Sequence, residues 1–559
     1  MSSTGDLITR IYGGFRGADF RGEEINIVRS PDCLNVWKDY RETESIRTRP
    51  GMKLLDSFDA PIYGIFFFRD FMIVHSGKTL YKVKNGEKTA IFTEAREAVS
   101  DSFVYGDFWY FKDGANYLRY NGTTISEVVG YVPTTSIGRK PEGGGTIHEG
   151  VNLLSSWRIN TFLGDKERKT FHLDAQNIDV VPPTVKIFDK LIDSSEYTVD
   201  YTAGAITFKS APYHPLTDGR DNVSIEFSKT VPGYRERING CTLLQVFDNR
   251  VFFSGNPDYP NTVWHCSLHD PSYCSDLDYY EEGLDAAEIK GLVAGNNALW
   301  VFREPSQANT TVFYHAPTID GEYGKIYPSQ HSSISVGCVG KAVNFNDDIV
   351  FFSERGMEGI SGDITTEQAV AHRSSLVDRK MISEPDYRDM LLAEWEGYLL
   401  IFVGNKVYLA DSRTAFATEN HIEYEFFYWE LDKKITSARV YGGVLYLGTE
   451  DGVYSLTDNE KAIESYWVTP KDKFKSPHKL KTTNKRGCVV EAMGDISVYA
   501  KTDKTEFELI GTYENVTDAF VSRIKRKKWK DIQLKFHSNT RFSLETATLE
   551  AFVGGYIKR

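Results

Sequence analysis

One pattern recurs seven times along this chain: an apolar strand, a turn, a second apolar strand, a short polar turn, and a strand carrying Tyr or Trp. One residue of each middle strand marks the repeat: Met72, Trp109, Phe252, Trp300, Val350, Leu400 and Leu445. The successive spacings are 37, 143, 48, 50, 50 and 45 residues. Repeats of about 40–50 residues built from short strands are typical of β-propeller blades. The sequence therefore predicts an all-β protein with a six- or seven-bladed β-propeller, in which a terminal repeat can share a blade with another segment.

The spacing of 143 residues is one period plus about 95 residues, which indicates a domain inserted into the propeller. Its predicted limits are a Gly- and Pro-rich linker at 141–145 and Pro232-Gly233. Alternating segments such as 197–201 and 205–208 predict a small antiparallel β-sandwich inside it. The predicted organisation is an N-terminal arm (1–60), the first blades (61–140), the inserted domain (141–233), the remaining blades (234–462) and a basic C-terminal β domain (463–559).

Charge separates the last of these segments from the rest. The net charge of the chain is −13, but residues 463–559 hold 19 Lys and Arg against 12 Asp and Glu, which is +7 and leaves −20 for residues 1–462. Most of these basic residues fall in two runs. The candidate docking residues are Lys471, Lys473, Lys475, Lys479 and Lys481 in the first, and Arg523, Lys525, Arg526, Lys527, Lys528 and Lys530 in the second. They can dock an acidic protein, bind nucleic-acid phosphates, or form a solvated face.

Motifs for catalysis or cofactors are missing from the sequence. The Gly77-Lys78-Thr79 triplet has Met72 where a phosphate loop needs Gly, and no Gly-x-Ser-x-Gly, His-Glu-x-x-His or Gly-x-Gly-x-x-Gly motif occurs. His265, Cys266, His269 and Cys274 have zinc-ligand chemistry without a recognised spacing, and the acidic loop 276–282 lacks the ligand order of an EF-hand. We therefore predict that the chain has no enzyme activity, catalytic residue, cofactor or metal. We predict that its six cysteines are free thiols. We also predict that the sequence contains no signal peptide and no membrane-spanning segment.

Three motifs near the N-terminus carry a family resemblance: Tyr12-Gly13-Gly14, Ser30-Pro31-Asp32-Cys33-Leu34-Asn35 and Arg49-Pro50-Gly51. In this order they resemble the opening of tailed-bacteriophage tail proteins of the nozzle, hub or "stabilization" type. Cys33 stands where Ala is more usual in that family. The hairpin 197–208 resembles a small β module of phage structural proteins, and 256–264 resembles a blade loop of the family.

The resemblance implies a virion structural protein made in the host cytoplasm. Such proteins form a ring, often a hexamer, below the portal and adaptor proteins; the ring extends and closes the DNA channel and docks tail fibres or a needle. An acidic lumen would repel the genomic DNA that passes through it. The resemblance assigns no catalytic residue.

Two alternatives remain open at this point: a propeller-type tail depolymerase, and a receptor-binding protein acting on host surface glycan. A smaller expectation concerns the N-terminal arm, in which Arg47, Arg49 and Pro50-Gly51 are expected to form the turn into the first blade.

Overall fold

The computed structural model describes residues 6–556 apart from 23–24, 42–44, 218, 308–309, 322–323, 361–368, 419–420, 458–461 and 525–527. Lys525, Arg526 and Lys527 of the second basic run lie outside the described residues. Within those residues the regular secondary structure is almost entirely β, which confirms the predicted all-β class. The two α-helices are short, α1 (Tyr234–Asn239) and α2 (Asp378–Met381), and 3-10 helices span Ser194–Glu196 and Tyr387–Asp389.

The first thirteen strands form the N-terminal arm and two four-stranded sheets. The arm contains β1 (Asp6–Gly13), β2 (Cys33–Leu34), β3 (Val36–Lys38), β4 (Ile46–Thr48) and β5 (Gly51–Ser57). The first sheet contains β6 (Ile62–Phe68), β7 (Phe71–Ser76), β8 (Thr79–Lys84) and β9 (Glu87–Phe92). The second contains β10 (Asp101–Tyr105), β11 (Phe108–Lys112), β12 (Tyr117–Tyr120) and β13 (Ile125–Glu127).

The next nine strands form a two-sheet unit. They are β14 (Thr134–Arg139), β15 (Thr146–Ile147), β16 (Trp157–Phe162), β17 (Thr170–His172), β18 (Thr184–Ile187), β19 (Lys190–Leu191), β20 (Tyr197–Asp200), β21 (Ala205–Phe208) and β22 (Val223–Ser228). A six-stranded sheet, β15-β14-β16-β22-β18-β19, packs with a three-stranded sheet, β17-β21-β20, around buried residues such as Phe162, Phe171 and Phe208. Because β14 precedes residue 141, the six-stranded sheet begins before the predicted linker. The boundaries 141–233 stay a prediction.

Four more sheets of four strands follow, and a fifth is completed from elsewhere in the chain. The third sheet is β23 (Leu243–Phe247), β24 (Arg250–Ser254), β25 (Thr262–His265) and β26 (Tyr279–Glu281). The fourth is β27 (Ile289–Gly295), β28 (Ala298–Arg303), β29 (Val312–His315) and β32 (Ser329–His331), with the hairpin β30 (Thr318–Asp320) and β31 (Gly324–Ile326) before its last strand. The fifth is β33 (Ala342–Phe345), β34 (Asp348–Ser353), β35 (Gly356–Ile360) and β36 (Val370–His372). The sixth is β37 (Leu391–Trp395), β38 (Tyr398–Val403), β39 (Lys406–Ala417) and β40 (Ile422–Glu430). The seventh holds β41 (Ser437–Tyr441), β42 (Val444–Gly448) and β43 (Gly452–Thr457).

The second strand of each four-stranded sheet contains one of the seven repeat markers. These strands are buried because they are covered on both faces; β28 and β38, for example, are buried along their whole length. Burial on both faces explains why their sequences read as continuous apolar runs rather than as alternating ones.

Successive four-stranded sheets contact one another through their first strands, as the sheets of a β-propeller do. The first strands of neighbouring sheets contact each other in the pairs β6–β10, β10–β23, β23–β27, β27–β33 and β37–β41. The first strand of the seventh sheet, β41, contacts β6 of the first. The fourth strand of the seventh sheet is β5 of the N-terminal arm, which pairs antiparallel with β43. The expectation that Arg49-Pro50-Gly51 leads into the first blade is therefore wrong, because Gly51 begins a strand of the last sheet.

The C-terminal segment forms a sheet of eleven strands with the rest of the arm. Its own strands are β44 (Ser465–Val468), β45 (Lys479–Thr502), β46 (Glu508–Val516), β47 (Ala519–Ser522), β48 (Lys528–Trp529), β49 (Ile532–Ser538) and β50 (Phe542–Tyr556). The main order is β2-β44-β49-β45-β50-β4-β3, with β1 on β50 and β46, β47 and β48 on β45. One apolar cluster joins this sheet to the sixth sheet; Trp37, Trp429 and Trp467 belong to it. The arm is thus built into both parts of the molecule.

Two histidines of the propeller make its stability sensitive to acid. His75 on β7 is fully buried and His265 on β25 is 6% exposed, and burial lowers the pKa of each to about 4. Since the unfolded chain binds these protons near pH 6.5 and the folded chain does not, stability is full above pH 6.5 and falls as the pH drops toward 4. We expect a loss of roughly 3 kcal/mol per histidine, measured by urea unfolding at pH 7.5 and pH 4.5. Single His75→Phe and His265→Phe variants should each show a shallower pH dependence; an unchanged dependence in both would contradict the assignment.

Candidate functional site

The structure brings the two basic runs of the sequence side by side. The first run enters β45 and the second enters β48, and these strands pair antiparallel with Lys481 opposite Trp529 and Thr482 opposite Lys528. Residues almost fifty positions apart in sequence therefore share one corner of the C-terminal sheet. We call this corner the basic corner; its exposed members are Lys471, Lys473, Lys475, Arg523, Lys528 and Lys530, and Lys479 is half-buried.

Lys481 does not belong to the exposed surface, which corrects its place among the docking residues. Its side chain is fully buried, and Nζ donates hydrogen bonds to the carbonyl oxygens of Ser476 at 2.6 Å and Lys530 at 2.8 Å. Burial lowers the pKa of this ammonium group. Lys481 thus fastens the two basic segments to each other, and a buried ammonium group held by carbonyls is unable to reach a partner.

One further basic residue and two acidic residues lie at this corner, and no local pattern in the sequence places them there. Lys504, in the turn after β45, donates from Nζ to the carbonyl oxygen of Lys528 at 2.8 Å. Asp503 accepts a hydrogen bond from the backbone N–H of Lys530 at 2.7 Å, and Asp531 follows directly. The corner is therefore cationic but contains carboxylates. Lysine ammonium groups act as mobile point charges rather than as rigid forks, which suits an acidic surface better than one defined phosphate.

The two roles of these lysines predict opposite effects. The exposed triple variant Lys471→Glu, Lys473→Glu, Lys475→Glu should change the free energy of unfolding by less than about 0.5 kcal/mol but elute from a heparin column at clearly lower salt. Lys481→Met keeps the apolar stem and leaves two carbonyls unpaired, so it should cost about 2 kcal/mol and barely change the elution. Equal destabilisation by the two variants would contradict this division.

The family-like N-terminal residues meet at a second location, between the propeller and the C-terminal sheet. Asn35 has a left-handed backbone, with φ of 55°, and is 5% exposed. Its Oδ1 accepts from Arg49 Nε at 2.8 Å and from the Glu430 N–H at 2.9 Å, while its Nδ2 donates to the Glu464 carbonyl at 2.9 Å. Glu430 ends β40 of the sixth sheet and Glu464 precedes β44. One side chain therefore ties both parts of the molecule to the arm.

Other residues of the same motifs reinforce this joint. Arg49 also donates to the carbonyl oxygens of Glu430 at 2.9 Å and Pro50 at 3.0 Å, and burial lowers its pKa to about 10. The hydroxyl of Ser30 donates to the Val468 carbonyl at 2.8 Å and accepts from the Val468 N–H at 3.1 Å. We call Ser30, Asn35 and Arg49 with these partners the arm clasp.

The remaining motif residues lie beside the clasp and turn the chain. Gly13 ends β1 opposite Thr546, and Gly14 follows with φ of 60°, a conformation that favours glycine. Pro31 lies between Ser30 and Asn35, and Pro50 and Gly51 carry the chain into β5. These residues thus help to connect the strands of the arm to the propeller and the C-terminal sheet.

The four residues with metal-ligand chemistry do not form one site, although the side chains of Cys266 and Cys274 contact each other. His265 Nδ1 lies 3.2 Å from the Cys266 carbonyl, the Cys266 thiol donates to the Pro271 carbonyl at 3.4 Å, and His269 Nδ1 lies 2.8 Å from the Tyr105 hydroxyl. In the part of the chain that the structure describes, no group of three or more His, Cys, Asp or Glu is arranged to hold a metal ion. Nor does any helix there have the length and apolar character needed to cross a membrane.

Comparisons with known proteins give weak likenesses to propellers. No protein-family model matches the chain, and no curated protein matches it. The computationally designed Ika8 protein is 12% identical over 72% of this chain and 98% of its own, with a TM-score of 0.33. BamB from Moraxella catarrhalis is 12% identical over 73% and 97%, with a TM-score of 0.34. The Pan2 WD40 domain of Neurospora crassa is 8% identical over 74% and 96%, with a TM-score of 0.25. At such scores the likeness carries no argument about function, and the description of the fold rests on the sheets themselves.

Proposed function

We propose that this chain is a structural subunit of a bacteriophage tail, of the nozzle or hub type, and that copies of it form a ring that continues the DNA channel below the portal and adaptor proteins. The observation that carries the proposal is the arm clasp. The motif residues that resemble this family, Ser30, Asn35 and Arg49, are the residues that join the propeller to the C-terminal sheet. Motif residues that build the joint between the parts of this molecule support the architecture that the resemblance implies.

The finer architecture follows from the order of the sheets. We infer that the seven four-stranded sheets are seven blades of a closed propeller, and that β5 closes this propeller by supplying the last strand of the last blade. When the first and last segments of the repeat share one blade, the propeller resists opening, because hydrogen bonds in that blade hold both ends of the repeat array together. In a tail that carries mechanical load during DNA ejection, such closure is useful.

The other two parts supply the contacts that a tail ring needs. The two-sheet unit of β14–β22 leaves the propeller between the second and third blades, and we assign to it the docking of tail fibres. The basic corner, with Lys471, Lys473 and Lys475 exposed, is the surface that we assign to an acidic adaptor or fibre protein. The acidic remainder of the chain disfavours binding of the DNA that passes through the ring.

Electron microscopy of the purified chain mixed with its portal–adaptor complex, and of whole virions, tests this function. The expected result is a ring of this protein on the tail axis directly below the adaptor. Density at the tail periphery, or a chain that stays monomeric with the complex and binds host cells by itself, would contradict it. Release of reducing ends from host surface glycan by the purified chain would show the depolymerase alternative instead.

A further inference from the structure

The first strand of the arm leaves one flank of the C-terminal sheet open. Among the described residues, β1 pairs with β50 and with no other strand. Its outward-facing side chains, Leu7, Thr9 and Ile11, carry no charge, and Leu7 and Ile11 are 50% and 65% exposed. An edge strand of eight residues with one uncharged, exposed face presents unpaired N–H and C=O groups on which another strand can add.

The opposite flank of the same sheet is open as well. There β46, β47 and β48 follow one another along β45, and each of them pairs only with β45 among the described residues. The strand register places the two flanks at the same height. Ile11 lies opposite Thr548, Thr548 opposite Val489, and Val489 opposite Val521 on β47. Val521 is also exposed, at 48%.

The strand directions make these two flanks complementary. The pairs β1–β50, β50–β45 and β45–β47 are all antiparallel, so β47 runs opposite to β1. A second copy placed beside the first in the same orientation therefore presents β47 antiparallel to β1, and the sheet continues across the contact without a change of pattern. Such a contact is head-to-tail, the kind that closes into a ring.

Exposed apolar side chains favour the same arrangement. Leu7 shares its row with Phe552, Thr482 and Lys528, and Lys528 is exposed, as is Asp6 beside Leu7. When β47 and β48 of one copy lie against β1 of the next, the aliphatic stem of Lys528 lies beside Leu7 on one face of the sheet, while Asp6 points to the other face. Exposed Ile11 approaches exposed Val521 on the same face, which removes apolar surface from water on both copies.

We propose that β1 of each copy adds to the β47 flank of the next copy, so that the C-terminal sheets form one continuous belt around the oligomer. This inference rests on the proposed ring, and it names the surface that forms it. One contact then covers both open flanks of every copy, whereas a two-fold pairing of β1 with β1 would leave the β47 flank of each copy open.

A pair of engineered cysteines tests the contact in the full-length chain. All six native cysteines are buried, so Ile11→Cys and Val521→Cys supply the reactive thiols. Within one chain these positions are three strand spacings apart, about 14 Å, and a disulfide needs Cα atoms closer than about 7 Å. Under oxidation the double variant should give a ladder of cross-linked multimers on a non-reducing gel, both alone at high concentration and on portal–adaptor complexes. Each single variant should give no ladder.

The alternatives have distinct outcomes. Dimers of a single Thr9→Cys variant, without a ladder from the double variant, would show a two-fold β1–β1 pairing and overturn the proposal. Rings that form on portal–adaptor complexes without cross-linking of the double variant would overturn this contact and leave the proposed function standing. A ladder from a chain that never binds the adaptor would support the contact and contradict the function.

Charged variants give a second measurement that does not depend on cysteine chemistry. Leu7→Lys with Ile11→Lys places two charges on the exposed face of β1, and should abolish assembly in mass photometry with an unchanged melting temperature. The matched control, Ile147→Lys with Leu191→Lys, changes two residues that are 82% and 71% exposed on the two-sheet unit and should assemble as the wild type does. Assembly of both variants would overturn the proposal.

Discussion

Replacing Asn35 by alanine is expected to lower the free energy of unfolding by about 4 kcal/mol, because one buried and two partly buried groups lose their hydrogen-bond partner at once. These groups are the Nε of Arg49, the N–H of Glu430 and the carbonyl of Glu464. Alanine must also adopt the left-handed backbone of this position, φ 55°, at a cost of roughly 1 kcal/mol. Urea unfolding followed by tryptophan fluorescence measures the change.

A matched variant separates the clasp from the backbone. Asn85, in the turn between β8 and β9, has nearly the same φ, 52°, but its side chain is exposed. Asn85→Ala should therefore cost only the backbone contribution, roughly 1 kcal/mol. If Asn35→Ala and Asn85→Ala prove equally destabilising, the three hydrogen bonds of the clasp contribute little and the joint is held by apolar packing alone.

The repeats could be predicted from the sequence because each four-stranded sheet is built from local hairpins. The markers Met72 and Leu445 lie within continuous apolar runs, and such runs record burial on both faces directly. The place of β5 could not be predicted in this way. Its partner β43 lies about four hundred residues away, and a single strand without its own hairpin carries no local sign of which sheet it completes. The same holds for β1, whose partner β50 ends the chain.

The basic corner shows a similar limit. Clustering of lysines indicated a charged surface, but position along a strand decides which side chains reach solvent. Lys481 and Thr483 alternate with Thr482 on β45, and the two odd-numbered residues point to the packed face. The neighbouring Lys504 is separated from Lys528 in sequence by a turn and two strands, so only folding brings the two together.

The clasp also shows why a motif can be informative without being catalytic. The side chains of Ser30, Asn35 and Arg49 each hydrogen-bond to backbone N–H or C=O groups at the ends of strands from different sheets. Such groups are costly to bury unpaired, and each therefore demands a side chain of one shape. A motif of this kind identifies an architecture, since its partners exist only when the arm, the propeller and the C-terminal sheet lie together.

The second large effect is expected at Glu425, which anchors the arm on β40. Its carboxylate is 1% exposed; it accepts from Arg16 Nη1 at 2.8 Å and from Arg29 Nη2 at 2.7 Å. Arg29 is itself largely buried and lies over the ring of Phe416 at 4.2 Å. Glu425→Ala removes the carboxylate that both arginines contact and leaves the buried Arg29 guanidinium group without this partner, so it should cost about 3–5 kcal/mol.

An exposed ion pair provides the comparison that makes this prediction specific. Asp70 and Lys84 are 2.5 Å apart but 69% and 46% exposed, and Asp70→Ala should leave the urea midpoint unchanged because water solvates the remaining charge. The double variant Arg29→Met with Glu425→Met should recover most of the stability lost in Glu425→Ala, since it removes both buried charges and keeps apolar volume. If the double variant is as unstable as Glu425→Ala, the loss comes from packing of the arm on β40 rather than from the stranded charge, and the ion pair is not what holds the arm in place.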